Sequence, residues 1–229
     1  MANSSPHTTP GAQPTAPPSI SPKTQPEKVA AVLRGIYPLA TCALIHRNPF
    51  ELLAATMLSA QTTDERVNTV TPELFATYPT AEALAGADEE DVARIIRPLG
   101  FQNRRAMQLT QMAKSLVENF GGEVPADRDS LQSLPGVGRK TAHVVLGNAF
   151  GIPAITVDTH VSRLSKRLGW TSAKTPLAIE RDIAKALPNE DWTILCHRLI
   201  EHGRTICHAR NPECARCDLK ELCPSREDV

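Results

Sequence analysis

From Pro49 to Gly203 the apolar residues of this chain recur at helical spacing, segment after segment, and nowhere is a two-residue alternation sustained. Phe50, Leu52, Leu53, Met57 and Leu58 make one apolar face, which ends at Ser59-Ala60-Gln61-Thr62-Thr63-Asp64. Asp64 is the expected N-cap of a helix over Glu65–Leu74. Thr80, Ala83 and Leu84 start a short helix, and Asp88-Glu89-Glu90-Asp91 put acids where the next one begins. Asn103–Phe120 follows, and Gly121-Gly122 stops it. Further helices are expected over Lys140–Phe150, from Asp158, and within 176–187 and 191–203, with one short β-like run at Ala154-Ile155-Thr156-Val157. A chain so patterned, with no internal repeat, is all-α.

The 229 residues suffice for one large domain or two small lobes with cores of their own. A hydrophobic fraction of 41% places the chain among globular proteins. No apolar run approaches a membrane span and no apolar signal segment opens the chain, so no membrane partner is expected. Residues 1–27 hold seven of the nineteen prolines and are expected to be a disordered tail. Order should begin near Glu27, where Val29, Val32, Leu33 and Ile36 share a helical face. Formal net charge is zero but unevenly spread: Glu51–Ala93 carries nine acidic residues and one basic, Arg94–Val229 twenty basic and fifteen acidic. A neutral chain of this kind can still present a positive face to a polyanion, although such segregation also describes solvated helix faces.

Two short helical signals flank Leu134-Pro135-Gly136-Val137-Gly138-Arg139-Lys140-Thr141-Ala142. Gly136 and Gly138 admit positive φ or a close backbone approach, and the helix start leaves amide N–H groups free for an anion. Arg139 and Lys140 could add charge there. A nucleotide P-loop needs glycine where this chain has Arg139 and Leu134, and a preceding strand where it has Asp129–Leu134, so that reading fails. The arrangement matches a helix-hairpin-helix that grips a nucleic-acid backbone without reading sequence. The plain alternative is an ordinary tight turn.

Cys207, Cys214, Cys217 and Cys223 form Cys-x6-Cys-x2-Cys-x5-Cys, four thiols within seventeen residues. Soft thiolates at this density in a reducing compartment hold an iron–sulfur cluster or zinc, and a single compact loop favours one [4Fe–4S] cubane over paired zinc knuckles. Cys42 and Cys196 lie in apolar surroundings and read as buried thiols.

Eighteen residues beyond Lys140 comes Val157-Asp158-Thr159-His160. Asp158 reads as a helix N-cap and Lys140 as a phosphate contact, or the two together as chemistry. A lysine becomes a nucleophile when desolvation or a positive helix terminus lowers its pKa, and a carboxylate can stabilise positive charge developing on a sugar.

Together, Leu134–Ala142, Val157–His160 and the cysteine spacing resemble endonuclease III, the bifunctional DNA glycosylase family of the helix-hairpin-helix superfamily, over residues 28–225. The resemblance implies two helical lobes with a DNA-binding cleft between them. One is a six-helix barrel with the helix-hairpin-helix, over 42–152; the other, over 28–41 and 153–229, is a discontinuous iron–sulfur cluster lobe. It implies a base excision repair enzyme, a monomer of the cytoplasm and nucleoid, acting on double-stranded DNA with damaged pyrimidines or abasic sites. Lys140 would attack C1′ with Asp158 assisting, and β-elimination would follow. Gln61 would fill the gap left by the flipped nucleotide, and Leu134, Gly136, Val137, Gly138 and Arg139 would contact the backbone. Where family members commonly have Gly-Leu-Tyr-Asn, this chain has Gly100-Phe101-Gln102-Asn103, with Phe101 as the expected wedge between bases. His160 would either structure the Asp158 turn or approach the flipped nucleotide. Two other readings stand beside this one. A monofunctional mismatch or adenine glycosylase of the superfamily would usually lack the lysine, and a non-catalytic hairpin module would bind without turnover.

Overall fold

The structure, a computed structural model, describes residues 25–188 and 190–226. Eleven α-helices run in order among the described residues, with no strand: α1 (Pro26–Ile36), α2 (Pro49–Leu58), α3 (Asp64–Thr77), α4 (Ala81–Ala85), α5 (Glu89–Ile95), α6 (Gln102–Phe120), α7 (Arg128–Ser133), α8 (Arg139–Ala149), α9 (Thr159–Arg167), α10 (Pro176–Ala186) and α11 (Trp192–Thr205). Short 3-10 turns lie at Arg97–Leu99 and Cys214–Arg216. Helix α1 starts inside the stretch expected to be disordered; the rest of that expectation, residues 1–24, lies outside the described residues.

The buried apolar side chains fall into two clusters. The first runs from Leu44 to Leu146 and is built on α2, which is buried on nearly every face, as a helix at the centre of a bundle must be. The second joins Val29, Ala30 and Leu33 of α1 to residues between Ile155 and Leu219. The N-terminal helix thus packs against the C-terminal ones. Arg34 pairs with Glu190, and Tyr37 Oη bonds His202 Nδ1 at 3.0 Å and Thr205 Oγ1 at 2.9 Å.

Two local expectations are corrected. The N-cap of α3 is Thr63, whose hydroxyl accepts from Arg66 N; Asp64 is the first helical residue. The run 154–157, β-like in the sequence, forms no strand. Side chains satisfy its backbone instead: Ala154 N donates to Thr193 Oγ1 at 3.2 Å, and His143 Nδ1 donates to Ile155 O at 2.8 Å.

Candidate active site and cysteine loop

Between the two clusters opens a cleft of about 980 Å³. Lys140, Asp158 and His160 all line it, as do Asp64, His197 and Arg204. Two helix starts bring the first pair there. Helix α8 has Gly138 as its N-cap, with no side-chain cap bond, and Lys140 is exposed in its first turn. Asp158 is the N-cap of α9, accepting from Val161 N through Oδ1 at 2.8 Å. The cap and the site therefore draw on one carboxylate: Oδ1 fixes its orientation beside the cleft.

His160 is locked from behind. Arg163 Nη2 donates to its Nδ1 at 3.1 Å and also to Gly203 O and Cys207 O. A neutral imidazole that accepts at Nδ1 carries its proton on Nε2. Burial lowers the pKa of His160, which favours that neutral form. His197 is held similarly, with Nε2 2.7 Å from Asn148 Oδ1, and burial lowers its pKa too. Across the cleft Arg204 pairs with Asp64 at 2.7 Å, so the carboxylate expected to cap α3 instead ties the two lobes together. No local signal in the sequence could have announced a partner so distant. Cys196 also lines the cleft, but complete burial pushes its thiol to about 12.

The hairpin has an inner and an outer side. Leu134 and Val137 are buried in the first core, and Val137 N closes the turn on Leu134 O at 3.1 Å. Their side chains anchor the hairpin, and any contact they make with DNA is left to the backbone. Gly136 (φ 78) and Gly138 are exposed. Arg139 makes a bidentate pair with Glu180 of α10, at 2.8 and 2.6 Å, which occupies the guanidinium expected to add charge to the anion site.

Gln61 (φ 61) and Phe101 (φ 52) are both exposed, Phe101 at 71%, and both have left-handed backbone. Such a conformation is uncommon without glycine. Between their loops lies Arg105, a buried arginine that the sequence reading passed over. Its only signal was its place beside the apolar face of α6.

All four clustered cysteines line one small cavity, walled by Leu164, Leu168 and Leu219. Arg167 Nη1 donates to Cys207 Sγ at 3.3 Å, and His202 Nε2 lies 3.5 Å from Cys217 Sγ. Burial raises the Cys217 and Cys223 thiols, and the other cysteines' charges raise them further. Four soft donors gathered in an apolar wall with basic groups at the rim fit a thiolate-bound centre.

Residues 54–189 match the HhH-GPD superfamily of base excision DNA repair proteins. The chain is 49% identical to endonuclease III of Synechocystis over 206 residues, 90% of this chain and 94% of that protein. It is 42% identical to endonuclease III of Escherichia coli, over 86% of this chain and 93% of that one. Among solved structures, a trapped endonuclease III–DNA covalent intermediate superposes with a TM-score of 0.85 at 44% identity, covering 90% of this chain and 97% of that one. A thermostable thymine-DNA glycosylase, at 24% identity and a TM-score of 0.81, shares the fold.

Proposed function

This chain belongs to the HhH-GPD superfamily and within it to endonuclease III, a DNA glycosylase with AP lyase activity, and we propose that Lys140 and Asp158 carry that chemistry on oxidised pyrimidines in duplex DNA. The observation that supports this assignment is that two helix starts, those of α8 and α9, bring an exposed lysine and an oriented carboxylate to one cleft. The duplex runs across the cleft between the lobes 42–152 and 28–41 with 153–229. Lys140 Nζ, as the free amine, attacks C1′ of the extruded nucleotide. The C1′–N1 bond breaks, the base leaves with its electron pair and a proton, and Nζ gives up its own proton as the sugar ring opens to the imine. Loss of a proton from C2′ breaks the C3′–O bond and cuts the strand 3′ to the lesion. Water then hydrolyses the imine. Asp158 stabilises the positive charge that develops on the sugar and takes part in the proton transfers.

Gly136, Gly138 and the start of α8 hold a phosphate of the same strand through backbone N–H groups. Gln61 and Phe101 enter the space that the nucleotide vacates. Cys207, Cys214, Cys217 and Cys223 would hold a [4Fe–4S] cluster, for which they offer four soft thiolate donors on one cavity. Bound there, such a cluster would hold the C-terminal loop together around the four cysteines. Among the described residues no helix is long and apolar enough to cross a membrane.

Single-turnover reactions on a duplex with one thymine glycol test the assignment. Lys140→Gln should bind this duplex but lose strand cleavage by several orders of magnitude, whereas cleavage at the parental rate would remove Lys140 from the mechanism.

A further inference from the structure

Arg105 stands in the first turn of α6 and is 7% exposed. Its guanidinium is committed to backbone carbonyls of two loops far apart in sequence. Nε donates to Gly100 O at 3.0 Å, Nη1 to Leu58 O at 2.5 Å and Nη2 to Ala60 O at 2.7 Å. Each loop continues directly into an exposed residue with left-handed backbone: Ala60 into Gln61, Gly100 into Phe101. Burial lowers the pKa of this arginine with no carboxylate to offset it. A buried, unpaired cation is a costly way to hold a helix in place, and an apolar side chain would serve packing alone. What the fork of donors adds is a fixed geometry between the two loops. Arg66 of α3 supports the second loop from the other side, donating to Pro98 O at 2.7 Å.

We propose that Arg105 is a positioning residue for nucleotide extrusion, clamping the Gln61 and Phe101 loops into one rigid wedge whose two tips enter the duplex together. The proposal rests on the reading of Gln61 and Phe101 as the residues that fill the vacated stack. Extrusion costs unpairing and unstacking, which inserted side chains offset only when they need not be ordered at that moment. Loops released from a common anchor would lose freedom on insertion and stabilise the open duplex less.

The test compares Arg105→Gln and Arg105→Lys with the parent on two substrates: a fully paired duplex with one thymine glycol, and the same lesion inside a short unpaired bubble. A 2-aminopurine opposite the lesion reports unstacking. Arg105→Gln should slow single-turnover excision on the paired duplex roughly ten- to a hundredfold, the loss expected from one or two charged hydrogen bonds, and should abolish the fluorescence rise. On the bubble, where opening is already done, its rate should return to within roughly threefold of the parent. Arg105→Lys, which keeps the charge but not the fork, should fall between. Equal slowing on both substrates would mean that Arg105 only supports the fold, and overturns the proposal. If Arg105→Gln does not fold, the paired-to-bubble ratio of Arg105→Lys decides in the same way. Gln61→Ala and Phe101→Ala separate the two layers of the argument. Should they lose nothing on the paired duplex, the wedge reading itself has failed; should they lose rate while both Arg105 variants do not, the clamp alone is refuted.

Discussion

Replacing Gly147 by alanine sets two effects of known size against each other where the lobes meet. Gly147 lies within α8 where that helix meets α11, and a Cβ there would come 2.3 Å from Thr193 Oγ1, 2.6 Å from Cγ2 and 3.0 Å from Cβ. Alanine is the better helix former by about 1 kcal/mol. Overpacking of a close helix contact costs about 1–3 kcal/mol. The Thr193 hydroxyl is also the acceptor for the buried Ala154 N–H, and displacing it threatens about 1 kcal/mol more. The clash therefore wins, by about 1–3 kcal/mol, which for a chain of this size lowers the melting midpoint by roughly 5 °C. Circular dichroism melts of cluster-loaded protein read this directly. Adding Thr193→Ala removes the two nearest atoms and should restore part of the loss, with a coupling of about 1 kcal/mol. A Gly147→Ala protein that melts at or above the parent would refute the close approach of α8 and α11. Because α8 begins with Lys140 and α11 carries His197 and Arg204, the same substitution should also slow excision.

Glu180→Gln should release Arg139 at a cost of about 1 kcal/mol or less, since the pair is partly exposed. It should also steepen the fall of log K for duplex binding with log salt by about 0.9, one added phosphate contact; an unchanged slope would show that Arg139 does not reach the backbone. Stability should fall as pH drops from about 6.5, the ordinary histidine value. His160, His197 and His202 all have folded-state pKa values below it, His202 at about 4. The unfolded chain therefore takes up protons that the folded one refuses, and their stabilising contribution is intact above pH 6.5 and lost on the way down to about 4. Urea midpoints across that range test this, and His197→Gln should flatten the dependence.

What the sequence made legible is what is local. Helical periods, the helix start at Thr80, the acids from Asp88 that open the next helix, the Gly121 stop and the Asp158 cap depend on residues within a turn or two of one another, and all are found in the structure. The cysteines were readable for the same reason: a seventeen-residue loop brings them to one cavity. The misplaced features depend on partners far along the chain. Asp64 looked like a cap because Thr63, equally able to cap, stands beside it, and only the fold reveals Arg204 opposite. The β-branched residues of 154–157 looked like a strand because nothing in the sequence showed that Thr193 and His143 would satisfy their backbone. Arg139 read as a free cation until α10 brought Glu180 to it. In the hairpin, sequence gave the motif but not its sidedness, which the core decides by burying Leu134 and Val137. Arg105 was invisible because its partners are carbonyls, which carry no sequence signal at all.

The assignment of Lys140 as the nucleophile is tested most directly by borohydride trapping on a duplex with a single thymine glycol. Reduction of the imine fixes it as a covalent adduct between the enzyme and the cut strand. The parent should trap, peptide mapping should find the deoxyribose remnant on Lys140, and Lys140→Gln should give no adduct while Lys140→Arg still binds the duplex. Trapping by Lys140→Gln at the parental level, or a remnant on another lysine, would contradict the account.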